Sequence, residues 1–242
     1  MSSISVSAVQ SDVLAANRGL PLNGLVTMTW GNVSAIDRES GLAVIKPSGV
    51  AYEDLTIDSL AVLSLNGERV DGGLQPSSDA PTHLVLYRAW PEIGAVVHTH
   101  SRRATAWAQA ERPIPALGTT HADYFGGEIP CTRPLAAPEI EGAYEEATGD
   151  VIVEAFAGRD PARVPGVLVA RHGPFAWGPT AESALENARV LEEVAALALH
   201  TVLLAPDGGP IDPALLDRHF LRKRGPDAYY GQPDAPAATS II

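Results

Sequence analysis

Two histidines at the end of an apolar segment could share one metal ion. The segment Ala95–Ser101 begins with apolar residues and ends at His98, Thr99 and His100. Successive side chains on a strand point to opposite faces, so the two histidines share a face, with Cα atoms about 6.6 Å apart. Their ring nitrogens can converge on one ion at about 2.0–2.1 Å. The alternative is two core histidines bonded to backbone groups.

His172 strengthens the metal interpretation, because it also follows an apolar run and precedes Gly-Pro. Three histidines with an open fourth position form the arrangement of a catalytic zinc site. Asp79 could add a carboxylate, although it could equally cap the helix predicted to follow it. Imidazole ligands favour Zn²⁺, and Mn²⁺ or Co²⁺ would be tolerated.

Several turns carry small or hydroxyl residues that could hold an anion. At such turns backbone N–H groups can face outward, and Lys46 could add a positive charge. The turn residues are Gly31, Asn32, Ser48, Gly49, Ser77 and Ser78. Each is ordinary by itself, since glycine is common in turns and Ser-Ser before a helix is commonly a cap. Together, beside a candidate metal site, they indicate a pocket for the anionic end of a small substrate.

Asp123 and Tyr230 are candidates for proton transfer. Asp123 lies in the polar segment Thr120–Tyr124, and Tyr230 lies where ordered structure is expected to end. A carboxyl group with a pKa of about 4 and a phenol with a pKa of about 10 both need burial or a metal's field to act near neutral pH. The alternatives are a solvated loop charge for Asp123 and an aromatic anchor for Tyr230.

Short strands joined by tight turns predict an antiparallel sheet. Strands are predicted over 25–30, 42–50, 58–66, 95–101 and 166–170. Helices are predicted over 11–18, 80–90, 102–110, 180–204 and 212–222. The remaining segments predict a loose leader at 1–11, a loop at 118–124, a linker at 138–150, a helix or strand at 151–157, and a disordered Pro/Ala-rich tail at 233–242.

Composition restricts the class of protein. The 242 residues carry a formal net charge of −12, which argues against a nucleic-acid-binding surface. The single cysteine excludes an internal disulfide and fits a reducing cytosol. No run of about 18 apolar residues is present to span a membrane. The chain is therefore expected to be soluble and cytoplasmic, without nucleic-acid or membrane partners.

The motifs, taken together, resemble those of the L-ribulose-5-phosphate 4-epimerases, a family of the class II aldolase/adducin superfamily. The likeness runs in order from about residue 10 to Gln232. Asp79 and the terminal Tyr-Tyr-Gly-Gln resemble the epimerases, whereas the superfamily's sugar-phosphate aldolases usually carry Glu at the position of Asp79. The matching motifs are Trp30-Gly-Asn-Val-Ser, Lys46-Pro-Ser-Gly, Pro76-Ser-Ser-Asp, His98-Thr-His, Thr120-His-Ala-Asp, Arg171-His-Gly and Tyr229-Tyr-Gly-Gln.

The resemblance implies a fold, an assembly and site residues. The fold is an α/β/α three-layer sandwich with a central, mainly antiparallel sheet, formed by a single domain over 1–232. The assembly is a C4 homotetramer with active sites between subunits. The implied metal ligands are Asp79, His98, His100 and His172. The implied substrate contacts are the turn residues named above, and Asp123 and Tyr230 would be the acid/base pair, with His219 and Glu145 as helpers. Arg224 departs from the histidine expected in that segment.

The resemblance also implies a reaction. An epimerase of this family converts L-ribulose 5-phosphate to D-xylulose 5-phosphate by breaking and re-forming the C3–C4 bond. The alternative within the superfamily is an aldolase, of the fuculose or rhamnulose 1-phosphate type, that releases its fragments. An alternative of another class is an adducin-like interaction module without catalysis, which would have lost its metal ligands.

Overall fold

The computed structural model describes residues 2–71, 74–225 and 228–229. Within these ranges, one sheet contains seven strands. They are β1 (Gly31–Asp37), β2 (Leu42–Ile45), β3 (Ala61–Ser64), β4 (Arg69–Asp71), β5 (Ala95–Thr99), β6 (Gly166–Val169) and β7 (Gly173–Gly178).

All neighbouring strands of the sheet pair in antiparallel fashion, in the order β4-β3-β2-β1-β5-β7-β6. At the centre, β1 pairs with β5 so that Gly31 lies opposite Thr99 and Asn32 lies opposite His98. The predicted antiparallel sheet is confirmed. The register places the start of β1, which carries Gly31 and Asn32, beside the end of β5, which carries His98.

Helices cover the sheet in two layers. α1 and α3 each pack on α7, and all three contact strands of the sheet, whereas α2 packs on α6, which in turn contacts β6. The α/β/α sandwich is confirmed. The described helices are α1 (Ser2–Leu22), α2 (Ala80–Ala89), α3 (Arg102–Gln109), α4 (Thr119–Ala122), α5 (Ala137–Glu141), α6 (Tyr144–Ala155), α7 (Ala181–Leu204) and α8 (Pro213–Arg224), with a 3₁₀ turn at Ile57–Ser59.

Capping residues define the longer predicted helices, which are confirmed. The Thr180 hydroxyl accepts a hydrogen bond from the Ser183 N–H at 3.1 Å and begins α7. Asp212 accepts from the Ala214 N–H at 2.8 Å and begins α8. These caps satisfy N–H groups that the helix itself leaves unpaired.

The strand predicted over 25–30 is wrong. The segment is a turn, in which the Trp30 N–H donates to the Thr27 carbonyl at 3.2 Å and Met28 has φ 54°. Met28 and Trp30 are 74% and 53% exposed, so the apolar alternation did not mark a buried face. The strand begins at Gly31 instead, and β7 was not predicted at all.

Three other predictions also fail. Residues 2–11 are not a loose leader but part of α1, the predicted linker contains α5 and α6, and the predicted loop at 118–124 contains α4. Pro138 stands in the first turn of α5, where its missing N–H costs nothing. Short helices that depend on tertiary contacts carry weak periodicity, and this explains the misses.

Close packing of α2 on α6 depends on Gly149. A Cβ there would lie 2.5 Å from the Val85 Cβ, closer than real contacts allow. The 24 residues of α7 form the longest helix described, and no helix in the described ranges has the length and apolar character to cross a bilayer. The predicted tail at 233–242 lies outside the described residues.

Candidate metal and anion site

Three histidines converge at one end of the sheet. The ligand atoms of His98, His100 and His172 all lie within 4.8 Å of one another. Ring centroids are 5.0 Å apart for His98 and His100, 4.7 Å for His98 and His172, and 5.1 Å for His100 and His172. From this spacing, small rotations of the side chains would bring three nitrogens to a common centre at about 2.1 Å each.

Local backbone geometry brings His172 to the other two histidines. It lies in the tight turn between β6 and β7, where Arg171 has φ 61°. Gly173 follows, and a Cβ there would lie 2.8 Å from the Thr99 carbonyl oxygen. A side chain at Gly173 would therefore push the His172 turn away from β5.

The imidazoles are in the form that binds metal. His98 Nδ1 lies 3.0 Å from the Pro174 carbonyl oxygen, which can only accept, so this nitrogen carries the proton and Nε2 is left to ligate. Burial, together with His98 and His100, lowers the pKa of His172 to about 3. Burial, with His98 next, also lowers the pKa of His100. The rings of His172 and His100 are therefore neutral near pH 7, and each can offer a lone pair.

Asp79 faces this cluster but does not cap its helix with its side chain. Its Oδ2 accepts hydrogen bonds from Asn32 Nδ2 at 2.6 Å and from the Ser77 hydroxyl at 3.4 Å. Burial would raise the pKa of Asp79, but His98, His83 and the Asn32 hydrogen bond outweigh it and hold the pKa below its usual range. The carboxylate is outside the group of three mutually close ligand atoms, so it must turn to join them.

A cavity of about 620 Å³ opens over the histidines and Asp79. Eleven of the residues singled out from the sequence line it, together with Glu145. These eleven are Gly31, Asn32, Lys46, Ser48, Gly49, Ser77, Ser78, Asp79, His98, His100 and His172. Polar groups from six separate stretches of the chain thus surround one space large enough for a small sugar phosphate.

Two turns in the cavity wall are held side by side. The Ser48 N–H donates to the Gln75 carbonyl at 2.9 Å, and the Ser77 N–H donates to the Lys46 carbonyl at 3.0 Å. Gly49 has φ 70°, a conformation that favours glycine. The pairing holds Ser48 near Ser77 and Ser78, as a binding surface for a phosphate would require.

Lys46 is the cation beside these turns. It is 2% exposed, and its Nζ donates to the Pro47 carbonyl at 3.2 Å and lies 5.0 Å from the centre of the Tyr52 ring. Burial lowers its pKa. Among the residues that the structure describes, the hydrogen-bond partner of this buried ammonium is a neutral carbonyl, an arrangement that favours the approach of an anion.

Asp123 lies elsewhere in its own chain. It is absent from the cavity wall and sits where α4 packs on α8, accepting hydrogen bonds from Arg222 Nη2 at 2.9 Å and from His219 Nδ1 at 3.0 Å. Burial would raise the pKa of Asp123, but the hydrogen bonds from Arg222 and His219 lower it below its usual value. Tyr230 lies outside the described residues.

Two residues near the site were not found from the sequence. Tyr144 lines the cavity, and its hydroxyl lies 3.5 Å from His172 Nδ1. His83 is 1% exposed behind Asp79 and bonds to Ser34 at 2.7 Å. Tyr144 belongs to no recognisable motif. His83 had one signal, since it follows Asp79 by four residues and so lies on the same helix face.

Comparison with known proteins gives this arrangement its context. Residues 11–199 match the family described as Class II Aldolase and Adducin N-terminal domain. The chain belongs to the class II aldolase and adducin family. The L-ribulose-5-phosphate 4-epimerase UlaF of Salmonella paratyphi C (strain RKS4594) is 57% identical over 224 residues, covering 93% of this chain and 98% of that protein. Its counterpart in Salmonella paratyphi A (strain ATCC 9150 / SARB42) is 56% identical over the same length.

Solved structures of class II aldolases share the fold. An L-fuculose 1-phosphate aldolase superposes with a TM-score of 0.74 at 23% identity, covering 88% of this chain and 94% of that one. The L-fuculose-1-phosphate aldolase of Thermus thermophilus gives a TM-score of 0.64 at 28% identity, with coverages of 84% and 98%. The resemblance read from the sequence motifs is thereby confirmed at the level of the family.

Proposed function

We propose that this class II aldolase family member is a metal-dependent L-ribulose-5-phosphate 4-epimerase. The observation that carries the proposal is the convergence of three imidazoles in a cavity whose wall also contains the Asp79 carboxylate, a two-turn anion pocket and a buried lysine. The relatives more than half identical over nearly their whole length carry this activity in their names and support the same substrate.

The residues present fit a divalent cation. His98, His100 and His172 would supply three nitrogens and Asp79 a carboxylate oxygen, a set that suits Zn²⁺ and tolerates Mn²⁺ or Co²⁺. When bound, the ion would act as a Lewis acid toward the oxygens of the ketose and stabilise the negative charge that develops during cleavage.

The pocket residues would hold the substrate by its phosphate. Ser48, Gly49, Ser77 and Ser78 would offer hydroxyl and backbone N–H donors, and Lys46 would balance the charge. Gly31 and Asn32 would line the space between phosphate and metal. Held at both ends, the sugar would present its C3–C4 bond between these two fixed points.

Epimerisation at C4 requires bond cleavage because the C4–H bond is not acidic. A base would take the proton of the C4 hydroxyl as C3–C4 breaks, leaving the enediolate of dihydroxyacetone and glycolaldehyde phosphate. After the aldehyde rotates, the C3–C4 bond re-forms at its other face, and an acid returns a proton to the C4 oxygen. Asp123 and Tyr230 would serve the two faces as base and acid.

Asp123 would reach this reaction from a neighbouring subunit. Within its own chain it lies outside the cavity wall, so a role in catalysis requires an assembly such as a C4 tetramer with active sites between subunits. Exposed apolar side chains, including Leu203 and Leu204 at the end of α7 at 72% and 86% exposure, support burial against another copy. A cytoplasmic setting fits a sugar-phosphate substrate.

Product analysis distinguishes epimerase from aldolase. Metal-stripped protein, and the same protein resupplied with Zn²⁺, would be incubated with L-ribulose 5-phosphate and separately with L-fuculose 1-phosphate. We expect D-xylulose 5-phosphate from the first sugar only after Zn²⁺ is restored, without accumulation of free aldehyde. Accumulating aldehyde from either sugar would favour the aldolase alternative, and no turnover in any arm would contradict both.

A further inference from the structure

Behind Asp79 lies a buried chain of polar groups that the proposed reaction does not use. Ser34 Oγ lies 2.6 Å from the Tyr87 hydroxyl and 2.7 Å from His83 Nδ1. Ser34, Tyr87 and His83 are each 1% exposed, so no solvent competes for these bonds. Burying a polar group costs free energy unless the group is hydrogen-bonded, so each donor in this network needs an acceptor.

Two atoms at the site end of this chain lack a partner. His83 Nε2 and Asn32 Oδ1 are both buried, and neither has a hydrogen-bond partner among the residues that the structure describes. Asn32 and Ser34 are two residues apart on β1 and so face the same side of the sheet. His83 rests on Ser34, while the other end of the Asn32 amide donates to Asp79.

The direction of the hydrogen bonds follows from proton counting. A neutral imidazole has one N–H and one acceptor nitrogen. If Tyr87 donates to Ser34 and Ser34 donates to His83 Nδ1, the ring proton lies on Nε2. His83 Nε2–H is then a donor without a partner among the described residues, and Asn32 Oδ1 is a carbonyl acceptor without one.

We propose that His83 is a positioning residue, whose Nε2–H donates to Asn32 Oδ1 through one buried water and so keeps the Asn32 amide aimed at Asp79. The Asn32 Nδ2 then holds one carboxylate oxygen of Asp79 and leaves the other for the metal. Without His83 the carbonyl end of the Asn32 amide loses its support, and the orientation of the amide then depends on the hydrogen bonds from Asn32 Nδ2 to Asp79 at 2.6 Å and to the Ser77 hydroxyl at 3.0 Å. This inference rests on the metal centre of the proposed function.

The test measures metal binding without any sugar. Metal-stripped protein would be titrated with Co²⁺ alone, followed by its visible absorption, and Zn²⁺ affinity would be measured by competition with a chelator. The variants are His83→Phe, which removes the donor and keeps a ring, and His83→Gln, which restores an N–H near Nε2. Leu86→Val is the matched control, a buried change on the same helix away from the cavity.

We expect His83→Phe to weaken Zn²⁺ binding about tenfold or more, as loss of a group that orients a ligand does, with recovery in His83→Gln. Leu86→Val should lower the melting temperature but leave metal affinity unchanged. If His83→Phe fails to fold, Ser34→Ala decides, since it releases the His83 proton from Nε2 and should weaken metal binding severalfold.

The outcomes separate the two proposals. Wild-type Co²⁺ affinity retained in His83→Phe, or in Ser34→Ala where the first variant does not fold, would overturn the positioning role and leave the metal centre intact. No Co²⁺ binding by the unsubstituted protein would overturn the metal centre and, with it, this inference.

Discussion

At the scale of single residues, three imidazoles from two distant parts of the chain form the candidate metal site. His98 and His100 come from one strand end and His172 from a turn 72 positions beyond His100, and the ligand atoms of all three lie within 4.8 Å of one another. Burial lowers the pKa of His172 and of His100, which keeps a lone pair available on each of these two rings. Loss of any one of the three histidines should lower the metal affinity, because the remaining two cannot hold the ion as tightly.

His100→Ala should abolish stable metal binding. We expect the metal content of the purified protein to fall from about one ion per chain toward none, with a roughly thousandfold loss of epimerase activity if the Lewis acid supplies several kcal/mol. His200→Ala, at an exposed position on α7, is the matched control and should change neither quantity. Elemental analysis and initial rates measure the two effects; full metal content in His100→Ala would remove it from the ligand set.

At the scale of secondary-structure elements, the two helices α2 and α6, which carry residues of the site, must pack closely. Asp79 and His83 are carried by the start of α2, and α2 is held against α6, which supplies Tyr144 and Glu145 to the cavity. Gly149 makes this close approach possible. The α2–α6 contact therefore sets both stability and the depth of the cavity.

Gly149→Ala should destabilise the protein by about 1–3 kcal/mol, because the new methyl group would overlap Val85. Val85→Ala in the same chain should recover part of that loss by making room. Gly209→Ala, where an added Cβ would meet no atom within 4 Å, is the control and should have little effect. Denaturant unfolding measures all four proteins, and a neutral Gly149→Ala would show that the helices can separate without cost.

Asp123 connects α4 to α8, and its contribution to stability should depend on pH. The pKa of this carboxyl is lower in the folded chain than its ordinary value, so its contribution is present above about pH 4 and is lost as pH falls through the folded pKa. Asp123→Asn should cost about 1–2 kcal/mol at pH 7. The difference from wild type should shrink below about pH 4. Thermal unfolding from about pH 3 to 7 measures this, and a constant difference would contradict it.

At the scale of the whole molecule, the proposed catalytic groups are divided between two places. The metal and phosphate groups share one cavity, whereas Asp123 lies on the α4–α8 contact outside it. A closed ring of identical subunits with head-to-tail contacts places one face of each subunit against a different face of the next. Such a ring would let α8 of one subunit complete the cavity of its neighbour.

Mixing of two inactive variants tests this arrangement. His100→Ala and Asp123→Asn would be purified separately, dissociated in mild denaturant and reassembled together. If sites form between subunits of a ring, random mixing should restore about a quarter of wild-type activity, because each site needs one intact group from each of two chains. Reassembly of each variant alone is the control. No recovery in tetramers shown to be mixed would place Asp123 and the metal in one chain, whereas activity of Asp123→Asn reassembled alone would remove Asp123 from the reaction.

The chain order of motifs, by itself, determined the family, the antiparallel sandwich and which metal and anion candidates would face one cavity. This was possible because each metal and anion candidate lies at a strand end or turn, where short-range pattern and side-chain type are informative. The strand predicted at 25–30 failed for the opposite reason, since alternation without burial is not enough to form one.

Only the tertiary structure decided what lies behind and beside those residues. The Ser34–His83–Tyr87 chain, the Tyr144 contact with His172, and the engagement of Asp123 by α8 join residues at least 28 positions apart. Such pairs have no local signature, because they depend on how α2 and α6 pack together and how α4 meets α8. A sequence indicates which groups are available for chemistry, but their hydrogen-bond partners, burial and pKa values are set by the packing of distant elements.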